Sequence, residues 1–195
     1  MELIFASHNE NKVEEIRQIL PENLTILSLN DIHFQNEIPE TGSTLEENAK
    51  IKAETVHKLT GKIVFSDDSG LFVEALNGAP GVYSARYAGT GNSKDNIEKL
   101  LKELDGNQNR KAYFKSVFCV ITDDQTVYLD GEVHGKILKE IRGKDGFGYD
   151  PVFVPDGYGK TFAEMKPEEK NRLSHRYKAV QKLIKFIRSL PQMRE

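Results

Sequence analysis

The apolar residues of this chain change period along its length, and that change constrains the fold more than any other feature. Leu3-Ile4-Phe5-Ala6 is an apolar run of strand length, after which Val13, Ile16, Ile19 and Leu20 recur at helical spacing until Pro21. Residues 24–29 form a second strand candidate. An irregular stretch ends at Gly42, and Ser43 or Thr44 can then cap a helix, because Glu46 and Glu47 stand three residues later. Leu45, Ala49, Ala53, Val56 and Leu59 give that helix an apolar face, and Gly61 ends it. Ile63-Val64-Phe65 reads as a buried strand that opens into a polar loop, Ser66-Asp67-Asp68-Ser69-Gly70. A short helix from about Lys94 to Leu104, capped by Ser93, precedes a β-rich region with strands at 113–122, 127–133 and 137–141 and a turn at Asp123-Asp124. After a glycine-dense loop and the apolar run Val152-Phe153-Val154, a final helix follows Ser174, with Ala179, Val180, Leu183, Ile187 and Leu190 on one face. Strands alternating with helices at the start and adjacent strands in the middle predict an α/β fold around a mixed sheet.

No repeat, low-complexity tract or linker divides the 195 residues, so residues 1–195 read as one folding unit. The 27 basic and 30 acidic residues give a net charge of −3, which exerts no general pull on a nucleic acid polymer. The single cysteine, Cys119, lies in an apolar run and excludes both a disulfide within the chain and a multi-cysteine zinc site. No stretch approaches the roughly 20 apolar residues of a membrane span, and the N-terminal apolar run is too short for a signal sequence. A cytoplasmic protein with no membrane partner is expected. An anionic ligand would have to be met by basic residues gathered from distant parts of the chain.

Four polar constellations could do this. Ser7-His8-Asn9-Glu10-Asn11-Lys12 lies between a strand and a helix, where free N–H groups, the helix dipole and a lysine suit a phosphate, although Ser7 or Asn9 could equally be an ordinary cap. It matches neither the Walker A spacing nor the dinucleotide fingerprint. Asp67-Asp68-Ser69-Gly70, with Glu40 upstream, offers carboxylates to a hard cation such as Mg²⁺; one aspartate is expected to face a site and the other to support the loop. In Gly146-Phe147-Gly148-Tyr149-Asp150-Pro151, Phe147 is the candidate for stacking on a base and Tyr149 for plugging the core beneath the loop. Lys170-Asn171-Arg172-Leu173-Ser174-His175-Arg176 gathers donors near the last helix, and a solvated helix face is its simplest reading. Together, Lys12, Lys52 and Lys170 for phosphates, Asp68 for a metal, and Phe147, His175 and Arg176 for a base make the inventory of a nucleoside-triphosphate site.

In their order along one chain, these motifs resemble the Ham1-type family of inosine triphosphate pyrophosphatases. The resemblance also takes in Glu40-Thr41-Gly42-Ser43-Thr44, Glu47-Asn48-Ala49 and the run from Gly78 to Gly89. It implies Mg²⁺-dependent cleavage of the α–β phosphoanhydride of ITP, dITP or XTP, giving a monophosphate and pyrophosphate. It further implies a homodimer and an elongated central sheet flanked by helices, with two lobes around a substrate cleft. Carried over by position, Ser7, His8, Asn9, Glu10, Asn11 and Lys12 would grip the triphosphate, with Glu10 turned outward, and Lys52 would point at it. Asp68 would be catalytic base or metal ligand, with Glu40 as a second metal ligand and Ser69 beside the substrate. Phe147, Gly148, Tyr149, Asp150, Lys170, His175 and Arg176 would hold base and sugar. The chain departs from many members at Pro39, where they carry a second acidic residue.

Two other readings remain. A phosphatase with an aspartate nucleophile would show D-x-D after its first strand, a spacing that Asp67-Asp68 lacks. A nucleotide sensor would bind without turnover, and the joint presence of Lys12, Lys52 and Asp68 argues against it.

Overall fold

A computed structural model describes residues 1–191. Six strands, β1 (Glu2–Phe5), β2 (Thr25–Ser28), β3 (Val64–Val73), β4 (Lys111–Ile121), β5 (Thr126–Ile137) and β6 (Phe153–Pro155), form a mixed sheet in the order β2-β1-β3-β4-β5-β6. β1 is parallel to β2 and β3, and β6 is antiparallel to β5. The helices are α1 (Glu10–Ile19), α2 (Leu45–Thr60), α3 (Ser93–Glu103), α4 (Pro167–Leu173) and α5 (His175–Ser189). None among the described residues is long and apolar enough to cross a membrane. The chain falls into two compact units, each discontinuous in sequence. Among the described residues the first contains 1–68, 116–131 and 176–191, and the second 69–115 and 132–175.

In the first unit, strand alternation sorts a continuous apolar run onto two faces. Leu3, Phe5, Phe65, Phe118 and Val120 meet Val13 and Ile16 of α1 and Ala179, Val180, Leu183 and Ile187 of α5. Ile4, Ala6, Val64, Cys119 and Ile121 meet Ala49, Ala53 and Val56 of α2 on the other face. Burial raises the Cys119 thiol to about 11, so it stays protonated as a packing group. In the second unit, Leu71, Val73, Ala112, Phe114, Val133 and Ile137 pack with Ile97 and Leu100 of α3 and with Leu104 at its C-cap, and Tyr149, Phe153 and Phe162 complete that core.

Several sequence expectations change. The Ser66–Gly70 segment is not a loop: β3 continues through it to Val73. Its polar side chains are tolerated in a buried strand because partners meet them, as where Ser66 Oγ donates to the Ala49 carbonyl. β5 is one strand to Ile137, and residues 138–141 are outside it. Leu59 is 66% exposed and lies off the apolar face of α2. Asn92, not Ser93, caps α3, its Oδ1 accepting from the Lys94 N–H at 2.8 Å. Thr44 caps α2, its Oγ1 accepting from the Glu47 N–H at 3.1 Å, and Gly61 closes the helix at φ 59°.

Candidate active site

In the first unit, β1 pairs with β3 at Ile4–Val64 and Phe5–Phe65. β1 then ends, while β3 runs on through Ser66, Asp67 and Asp68. The turn that leaves β1 at Ser7 therefore begins beside the extension of β3, at the carboxyl ends of parallel strands where α/β proteins place their ligands. Asn9 caps α1, its Oδ1 accepting from the Lys12 N–H at 3.3 Å, while Ser7 Oγ accepts from the Asn9 N–H at 3.1 Å. His8 is held at the surface, its Nδ1 3.0 Å from Asn30 Oδ1 and its Nε2 3.2 Å from the Asn36 carbonyl oxygen. Glu10 is exposed and accepts from Asn30 Nδ2, the outward turn expected of it; Asn11 is exposed as well.

The period of two along β3 sends its adjacent aspartates to opposite faces. Asp67 follows Phe65 toward α1 and α5, where its Oδ2 lies 3.2 Å from Lys12 Nζ and 3.1 Å from Arg176 Nε. Arg176, 2% exposed, also donates from Nη1 to Glu15. Burial alone would lower its pKa, but the two carboxylates hold it above the ordinary value. Asp68 follows Val64 and Ser66 toward α2. There Lys52 Nζ donates to the Asp67 carbonyl at 2.8 Å and stands 3.3 Å from Glu40 Oε1 and 3.8 Å from Asp68 Oδ1.

Asp68 is 6% exposed, and burial pushes its carboxyl from an ordinary 3.8 up to about 6. Lys52 and Lys12 oppose that rise, and the charges of Glu40 and Asp67 add to it. A carboxylate poised near neutrality with two ammonium groups nearby is suited to accept a proton in the transition state. Among the described residues, no three His, Cys, Asp or Glu side chains gather as a metal cage. Two carboxylates around one ammonium still match Mg²⁺, which commonly uses one or two protein carboxylates and completes its shell with phosphate oxygens and water.

In the second unit, Asp150 Oδ2 accepts from the Phe147 N–H at 2.9 Å and from Lys170 Nζ at 2.7 Å. Lys170 Nζ stands 4.8 Å from the centroid of the half-buried Phe147 ring, a cation–π contact. Gly146 permits this turn: with φ 75°, a Cβ there would sit 2.2 Å from Asp150 Oδ2. Gly148 also has positive φ, at 61°. Tyr149 plugs the core as expected, its hydroxyl donating to the Ser84 carbonyl at 2.7 Å. The His175 ring stacks on Phe114, with centroids 4.9 Å apart. Ser69 is half-buried at the start of this unit. Lys170, His175 and Arg176 are all buried, so the solvated-face reading of their segment fails. Lys170 lies in α4, a helix absent from the sequence reading, which begins its last helix after Ser174.

Sequence reasoning missed Glu15 as a partner and gave Asp67 only a supporting role in a loop. A signal for each exists. Glu15 lies three residues after Lys12 on one helix face, and Asp67 alternates with Phe65 on one strand face.

The sequence matches the model of the Ham1 family over residues 3–186. The chain belongs to the Ham1 family. It is 50% identical over 190 residues to the dITP/XTP pyrophosphatase of Flavobacterium psychrophilum, covering 97% of this chain and 100% of that one. It is 49% identical over 191 residues to the dITP/XTP pyrophosphatase of Thermoanaerobacter sp., covering 96% of each. A solved HAM1 protein from Coxiella burnetii superposes with TM-score 0.89 at 38% identity, covering 97% of this chain and 100% of that one. The mixed α/β fold described above is thus the Ham1 fold.

Proposed function

We propose that this chain hydrolyses non-standard purine nucleoside triphosphates, ITP, dITP and XTP, to the monophosphate and pyrophosphate. The observation that carries the reading is Asp68, a buried carboxylate held near 6 beside Lys52, Lys12 and Glu40. Above that pH it is ionised and can orient a water in line with the α-phosphorus and take its proton. Lys12 and Lys52 stabilise the charge that develops on the departing pyrophosphate. When bound, Mg²⁺ held by Asp68 and Glu40 supplies further neutralisation of phosphate charge. The relatives named for dITP and XTP support the substrate class.

On this reading the base is met by Phe147, Asp150, Lys170 and His175. Inosine and xanthosine nucleotides present a 6-keto oxygen where adenine presents an amino group. A donor facing that amino group loses its acceptor, a mismatch that costs orders of magnitude in selectivity. The reading also takes the protein as a cytoplasmic homodimer acting on free nucleotides, with no nucleic acid polymer or membrane as partner.

The test is to supply Mg²⁺ with ITP, dITP, XTP, ATP or GTP separately and identify the products by phosphorus NMR. Pyrophosphate and monophosphate are expected from the first three. Orthophosphate as the primary product, or equal turnover of ATP and ITP, would overturn the proposal. The pH profile provides an independent check. At limiting Mg²⁺, kcat/KM should fall about tenfold per unit below pH 6 as Asp68 is protonated. A cation beside the carboxylate favours its ionised form, so saturating Mg²⁺ should move that limb to lower pH. A limb that ignores Mg²⁺ would remove Asp68 from the metal shell.

A further inference from the structure

We propose that the second unit carries a separate binding site for a polyphosphate anion, in the concavity formed by residues 108–111 and 136–139. The concavity has a volume of about 610 Å³ and is lined by the cations Arg110, Lys111, Lys136 and Lys139, the amides Gln108 and Asn109 and the apolar Ile137 and Leu138, with no carboxylate. None of these residues belongs to the groups assigned to the hydrolytic reaction.

Arg110 ties the walls together. Its Nε donates to the Ile137 carbonyl at 2.7 Å, Nη2 to the Leu138 carbonyl at 2.7 Å and Nη1 to the Leu104 carbonyl at 3.0 Å, and the Ile137 N–H donates back to the Arg110 carbonyl at 2.9 Å. Carbonyl oxygens satisfy these donors without cancelling the charge. Burial lowers the Arg110 pKa, and the field of Asp105 is the carboxylate influence that opposes it. Lys111, Lys136 and Lys139 are exposed, and no carboxylate of the described residues stands within ion-pair distance of them. By contrast, Lys115, further along β4, pairs with Glu132 at 4.0 Å. Four cations border one hollow with no carboxylate among its lining residues, and such a field attracts a ligand with several negative charges. A di- or triphosphate chain, free or as the tail of a nucleotide, brings several negative charges to these cations where a single phosphate brings fewer.

The test is amide NMR of the whole protein, titrated in EDTA with inorganic triphosphate and, in a parallel arm, with ATP. Saturable shifts at residues 108–111 and 136–139 are expected with inorganic triphosphate, weakened by added salt. Lys136→Ala/Lys139→Ala should weaken binding at these amides on the order of tenfold or more, and Lys136→Arg/Lys139→Arg should retain it. Shifts with ATP as well would mark the chain as what is read in either source. Absence of shifts with inorganic triphosphate, shifts with ATP alone, or binding undiminished in the alanine variant would each overturn the proposal. ITP turnover by the alanine variant should equal that of the wild type, so this proposal and the proposed function can fail separately.

Discussion

Asp68→Asn should lower kcat for ITP by roughly 10²–10⁴-fold, the range for a general base, while the protein stays folded and gains stability at alkaline pH. The two halves of this expectation share one cause. Burial raises the Asp68 carboxyl from 3.8 to about 6 in the folded chain. Between those values the folded state binds the proton more tightly than the unfolded state, so the contribution of Asp68 to stability is full below pH 3.8 and declines as pH rises to about 6. A rise of about two units corresponds to about 3 kcal/mol of destabilisation at pH 8. Asparagine is neutral throughout and removes it. The attraction of Lys52 and Lys12 is already contained in the value of about 6, so the gain should be about 3 kcal/mol at pH 8 and vanish near pH 4. Urea denaturation in EDTA at pH 4, 6 and 8 measures the gain, and pyrophosphate release measures the loss of activity. Near-normal turnover would remove Asp68 from its role, and a variant less stable than wild type at pH 8 would show that its charge is well compensated.

Arg176→Ala should be the most destabilising single change at the site, costing about 3–5 kcal/mol, because it takes from Glu15 and Asp67 the guanidinium they share and leaves Lys12 as the cation beside Asp67. Arg176 holds Asp67 and Glu15 at once, and the Asp67 side chain is fully buried. Against a typical total stability of about 5–15 kcal/mol, this is a large share. Arg176→Lys keeps the charge but replaces a planar fork with a single ammonium, so its loss should fall between wild type and alanine. Guanidinium denaturation would show a lowered midpoint with an unchanged slope. A loss under about 1 kcal/mol for the alanine variant would mean that water enters and solvates the two acids.

Where structure depends on local pattern, the sequence was a good guide. Thr44 and Gly61 bound α2 because a cap and a left-handed stop are decided within one turn of helix. Tyr149 could be assigned to the core and Glu10 to the surface from the chemistry of their own side chains. The reading failed where distant partners override local composition. Four polar residues and a glycine after Phe65 look like a loop, yet they continue β3 because Arg176, 109 residues away, neutralises Asp67 and the Ala49 carbonyl accepts from Ser66. Lys170 looked like a solvated residue and is 6% exposed, because Asp150 and the Phe147 ring receive its ammonium.

From sequence alone came the mixed α/β class and the four motif clusters with their residue types, since period, capping and residue type are properties of short segments. The tertiary structure decided that Asp67 and Asp68 face opposite sides of one strand. It also set which cation each carboxylate meets and how far burial raises Asp68. These depend on water being excluded and on charges being brought together from residues 12, 15, 52, 67, 68 and 176, which no local stretch of the chain encodes.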